Sequence, residues 1–90
     1  MKGIEIKVSG HIIEKNLLGI LFGALKYKEA DITDIEISAS SLKGGWDEKC
    51  PSIMTFKLVS FSDEELKRSY QEILSLLKEN GCRLIYRKDI

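Results

Sequence analysis

The sequence predicts an α+β sandwich in which a four-stranded sheet is covered on one face by two helices. Three observations predict it: four segments alternate apolar and polar residues with period two, two segments repeat apolar residues at helical spacing, and the order is strand, helix, strand, strand, helix, strand. That βαββαβ order is the ferredoxin-like split arrangement. Its first and third strands are expected at the centre of the sheet, parallel to each other, with the second and fourth at the edges.

Each element has its own signal. Ile4, Ile6 and Val8 alternate with Glu5, Lys7 and Ser9 in a first strand over residues 2–9 with one buried face. From Asn16 the period changes, and Leu17, Leu18, Leu21, Phe22 and Leu25 form the stripe of a first helix that ends in the polar run Lys26 to Glu29. Ile35, Ile37 and Ala39 alternate with Asp34, Glu36 and Ser38 in a second strand. The loop Ser40 to Pro51 follows, holding Gly44-Gly45, the sole Trp and the sole Pro. Met54, Phe56 and Leu58 make one face of a third strand, Ser52 to Val59. Ser62-Asp63-Glu64-Glu65 is a capping box, the hydroxyl accepting from the third helical N–H while Glu65 reaches back. Leu66, Tyr70, Ile73, Leu74 and Leu77 share one face of the second helix, and Asn80-Gly81 closes it through the left-handed conformation glycine adopts cheaply. Cys82, Leu84 and Tyr86, alternating with Arg83, Ile85 and Arg87, give the fourth strand.

Composition bounds the function. The chain has 90 residues with 14 basic and 14 acidic side chains and 43% hydrophobic residues, which fits a single folded domain over residues 1–90 and excludes intrinsic disorder. Zero net charge argues against nucleic acid as a partner, since phosphate binding needs a surplus of Lys and Arg. The apolar runs are too short for a membrane span, and the amino-terminal residues carry no signal-peptide pattern, so a cytoplasmic protein without a membrane partner is expected. Cys50 and Cys82 match no metal or redox spacing, and with one His no metal site and no cofactor are expected. In the expected topology the two thiols start oppositely directed strands and lie too far apart to bridge.

Function must then come from sites. The outward positions of the central strands, Glu5, Lys7, Thr55 and Lys57, lack the aromatic platform on which RNA-recognition domains of this topology stack bases, leaving a solvated or dimer-forming face. Acylphosphatases share the length, the strand order and a Val8-Ser9-Gly10 entry into the first helix. They place an arginine in that loop and an asparagine on the second strand, whereas residues 11–16 here read His-Ile-Ile-Glu-Lys-Asn and the arginines stand at 68, 83 and 87.

The stretch Gly10-His11-Ile12-Ile13-Glu14 is more specific. It leaves a strand and enters a helix, where backbone N–H groups favour an anion such as an amino-acid carboxylate, and His11 adds a donor that titrates near neutral pH. The alternative reading makes His11 a turn residue bonded to nearby backbone, with Glu14 favouring the helix dipole. Trp46 beside Gly44-Gly45 either folds over the core edge or acts as an interface or ligand lid. Gly19 and Gly23 permit close packing of the first helix, whose broad apolar surface suits a homodimer or a partner enzyme subunit.

Val8 to Leu18, VSGHIIEKNLL, followed by Pro51-Ser52 before the third strand and an acidic, Leu-rich second helix ending in Gly81, resembles the LOR/SDH conserved domain. That domain accompanies lysine-ketoglutarate reductase/saccharopine dehydrogenase and ornithine cyclodeaminase-type enzymes. Its Gly-His-Ile-Ile-Asp signature corresponds to Gly10 through Glu14, with Glu in place of Asp, and the loop Ser41 to Cys50 is longer here. The resemblance implies a stand-alone, non-catalytic ligand-sensing or assembly domain of lysine, ornithine or arginine metabolism. No dinucleotide-binding unit is present in the sequence. ACT domains, similar in strand order, bind amino acids near the first strand–helix turn. Gly10, His11, Glu14, Trp46 and Ser52 are therefore the candidate ligand contacts. The runner-up functions are a small enzyme using His11 and Glu14 as acid and base, and a purely structural oligomerisation module.

Overall fold

Alternating apolar residues drive the sheet, and an almost wholly apolar first helix and an amphipathic second helix cover it. The computed structural model describes residues 2–13, 15–39 and 52–90. The element order is β1 (Lys2–Gly10), α1 (Leu17–Leu25), β2 (Ala30–Ala39), β3 (Ser52–Ser60), α2 (Asp63–Glu79) and β4 (Arg83–Asp89). The strands form one sheet in the order β2-β3-β1-β4, so the ferredoxin-like α+β arrangement holds with β1 and β3 central. Its core joins Ile4, Ile6 and Val8 of β1 to Met54, Phe56 and Leu58 of β3, under Leu17, Leu21 and Leu25 of α1 and Leu66, Tyr70, Ile73 and Leu77 of α2.

The expected parallel alignment of the central strands is wrong: β1 and β3 are antiparallel, with Ile6 opposite Phe56 and Gly10 opposite Ser52. Chain connectivity explains it. A helical crossover makes β1 and β2 run the same way, and β3 reverses on β2, so β3 opposes β1. By the same logic β4, antiparallel to β1, runs with β3. The starts of β3 and β4 therefore share one end of the sheet, and the argument that placed Cys50 and Cys82 at opposite ends fails. Cys82 is a buried free thiol, while Cys50 lies outside the described residues.

Two register shifts re-aim side chains. One falls between Thr33 and Glu36 on β2, where Asp34 takes a left-handed φ of 52°, and the other beside Lys7 and Val8 on β1 opposite β4. In the second, Leu84 pairs with inward Val8, but Tyr86 pairs with outward Lys7 and Arg87 with inward Ile6. The alternation expected for β4 thus inverts after Leu84. Arg87 turns under the sheet edge and stacks 4.6 Å from the Tyr70 ring centre, a cation–π contact with α2. Phe22 also departs from expectation: although it continues the apolar stripe of α1, it is 44% exposed.

Candidate functional site

β1 ends on Gly10, and the geometry there requires glycine. An added Cβ would lie 2.7 Å from the Cys82 sulfur and 3.2 Å from the Cys82 Cα, so β4 closes tightly on one side of Gly10. On the other side Gly10 pairs with the buried Ser52. Two of the sequence-predicted contacts, Gly10 and Ser52, are thereby brought together, and His11, half-buried, follows Gly10 directly. Glu14 and Trp46 lie outside the described residues.

The entry into α1 is built from a tight backbone turn. The His11 carbonyl accepts from the Lys15 N–H at 3.1 Å, and the Ile12 carbonyl from the Leu17 N–H at 3.1 Å, while buried Ile12 pins the turn to the core. Asn16, at a left-handed φ of 49°, precedes the helix, and its side chain lies where a Cβ on Gly19 would collide with it. The first turn of α1 carries no acidic side chain. This end of the sheet therefore presents a positive helix terminus whose own first turn leaves it unneutralised.

Lys15 ties this corner to the end of α2. Its ammonium donates to the Asn80 carbonyl at 2.8 Å, a cation placed against a helix C-terminus. Next to it the Cys82 N–H donates to the Leu77 carbonyl at 2.8 Å, completing the closure for which Gly81 supplies a φ of +75°. Burial pushes the Cys82 thiol above its ordinary value, and the Lys15 charge pulls it partly back. At neutral pH Cys82 is accordingly a packed, protonated thiol and a poor nucleophile.

Sequence reasoning missed Cys82 and Asn80 as members of this corner. The signal that finds them is connectivity: once β3 and β4 run together, the residues just before both strands flank the last residue of β1. Two cavities elsewhere on the molecule are not lined by Gly10, His11 or Ser52. One, of about 710 Å³, lies between α1 and the β2–β3 end, against Phe22, Leu25, Ala30, Val59 and Phe61. The other, of about 560 Å³, lies at the start of β1 beside Asp63, Arg87 and Asp89. Among the described residues no group of His, Cys, Asp and Glu is arranged to hold a metal ion, and no helix is long and apolar enough to cross a membrane.

No known protein family and no curated protein matches the sequence. Solved structures do share the fold. The de novo designed protein Foldit4 superposes with a TM-score of 0.71 at 12% identity, over 99% of this chain and 94% of that one. Formyltetrahydrofolate deformylase from Pseudomonas syringae pv. tomato str. DC3000 follows with a TM-score of 0.59 at 12% identity. The Burkholderia mallei ATCC 23344 enzyme of the same name gives 0.56 at 9% identity. Each deformylase match covers 99% of this chain but 28% of the enzyme, so the fold occurs there as one part of a longer chain. At such identities the likeness speaks for the fold alone.

Proposed function

We propose that this chain is a non-catalytic ligand-sensing domain, related to the LOR/SDH conserved domain, that recognises an amino acid of the lysine, ornithine or arginine type at the β1–α1 corner. The observation that carries the reading is the pairing of Gly10 with Ser52, with His11 next in the chain and the N-terminus of α1 just beyond. An α-carboxylate suits the helix terminus, and the His11 imidazole supplies a ring N–H donor beside it. Ala39 and Ser52, the described residues that flank the connection carrying Trp46, pair with each other at this same end of the sheet. The occurrence of the fold as a part of longer metabolic enzymes accords with a regulatory or assembly role.

A thermal-shift screen with ornithine, lysine, arginine and saccharopine tests this. A raised midpoint with one of them, abolished in His11→Ala, is the expected result. No shift with any of the four sinks the sensing role, and turnover by the purified chain that is lost in His11→Ala assigns an enzyme instead.

A further inference from the structure

The helices cover one face of the sheet, and among the described residues no element covers the other, which is the open face. We propose that this open face docks a second copy of the chain, related by a twofold axis that runs along the strands between the two sheets. The proposal goes beyond the ligand reading and does not depend on it.

Charge placement selects both the occupant and the axis. On the open face β2 carries three acids, Asp31, Asp34 and Glu36, and no basic residue, whereas β4 presents Arg83 and Lys88 there, Arg87 and Asp89 being on the helix side and paired with each other at 2.7 Å. These are the two edges of the sheet. A twofold axis along the strands lays β2 of one copy over β4 of the other, acid over base, and β3 over β1. An axis across the strands lays β2 over β2 and β4 over β4, and one normal to the sheet joins like edges. Both set like charges together, which opposes association.

The rows across the sheet sharpen the fit. Thr33, Lys57, Glu5 and Lys88 form one outward row. Because β3 faces β1 of the second copy, Lys57 lies over the partner copy's Glu5 and Glu5 over its Lys57, two reciprocal pairs astride the axis. In the single chain these side chains are satisfied only at the surface: Lys57 pairs with Asp34 at 3.4 Å, and Glu5 accepts from the Tyr86 hydroxyl at 2.8 Å. On one side of this row Ile53, 40% exposed, stands opposite Ser9, and the same axis brings it beside its own symmetry mate. On the other side the Val59 and Ile90 side chains close over Gly3, 3.1–3.2 Å from where a Cβ would stand, and Ile90 is 56% exposed. Apolar contacts at both ends thus bracket a polar centre.

Four strands about 4.8 Å apart and some 27 Å long give a face of about 500 Å² per copy. That is the low end of specific interfaces, so the dimer depends on concentration.

Sedimentation equilibrium of the full chain over a range of concentrations and salt provides the test. The expected result is a monomer–dimer equilibrium weakened by salt. Lys57→Glu or Glu5→Lys alone raises the dissociation constant about tenfold or more, and the double exchange returns it to within about threefold, since each 1.4 kcal/mol is a factor of ten. Ile53→Asp, at an exposed site, weakens the dimer without altering that pair, and a thermal melt of each variant in its monomeric range establishes that it is folded. A chain monomeric at every soluble concentration overturns the proposal. So does a dimer indifferent to the single reversals and to Ile53→Asp, or a folded double exchange that stays monomeric. None of these outcomes bears on the amino-acid thermal shift, so the two proposals fail separately.

Discussion

Gly10 stood out in the sequence as a candidate because it ends a run of alternating residues and precedes His11, but its packing role became visible only with β4 in place. With the Cys82 sulfur 2.7 Å from where a Cβ would stand, Gly10→Ala forces β4 outward. Overpacking of this kind costs about 1–3 kcal/mol, read as a lower urea midpoint with an unchanged slope. The loss is smaller when Gly10→Ala is made in a Cys82→Ala background, because the sulfur it meets is gone while the close approach of the residue 82 backbone remains. Cys82 also sets a pH dependence. Its thiol is held above the ordinary 9.0 chiefly by burial, so the native chain keeps a proton that the unfolded chain has released. Stability from this group is complete below pH 9.0 and is lost as pH rises through the folded value. Urea midpoints should therefore fall in the native chain as pH rises above 9.0, and fall less in Cys82→Ala. Tyr86 is also raised, chiefly because its hydroxyl donates to Glu5, and its contribution comes later, above its ordinary 10.0.

Element by element, what the sequence revealed depended on whether local signals kept their phase. α2 was readable at both ends: Ser62 accepts the Glu65 N–H at 3.3 Å, and Gly81 closes the helix at positive φ. Glu65 itself turns toward Arg68, 4.0 Å away. Ser62→Ala should cost about 1 kcal/mol, measured by chemical denaturation, and Ser62→Asp should retain most of the stability. A loss of only a few tenths would show that tertiary packing alone fixes this end of the helix. β2 was half-readable. Ile35, Ile37 and Ala39 alternate, but the strand begins at Ala30, and buried Ile32 is five residues from Ile37 although both pack toward the core. The shift between Thr33 and Glu36 accommodates that odd spacing, and no period-two pattern crosses it. The irregularity opposite β4 did the same to Tyr86 and Arg87, turning the expected inward tyrosine outward and the arginine inward. α1 has neither a side-chain cap nor an acidic first turn, and its apolar excess hid which side is buried: Leu17, Leu21 and Leu25 are, Phe22 is not.

At the scale of the whole molecule, strand direction follows from connectivity more than from any residue, which is why the parallel centre expected from the sequence was wrong while the strand order was right. The same connectivity leaves the two ends of the chain adjacent. Ile4 pairs with Asp89, and the Ile90 N–H donates to the Gly3 carbonyl at 3.0 Å. A circular permutant that joins Ile90 to Lys2 through a short Gly/Ser linker and opens the chain within 40–51 keeps every pairing of the sheet. It should therefore fold to the same structure, with a far-ultraviolet circular dichroism spectrum like the native one. Its folding rate should change little, because the β1–β4 pairing, the most distant in the native sequence, becomes a hairpin as the β2–β3 pairing becomes non-local, so the two changes in contact order offset each other. Stopped-flow refolding checks the rate. Failure of the permutant to fold would mean that the 40–51 connection contributes contacts essential to the sheet. In a permutant that folds, the amino-acid thermal shift becomes a way to divide the site. A shift that survives places recognition on Gly10, His11 and the start of α1, whereas one that disappears with the fold intact assigns it to the unbroken connection that carries Trp46.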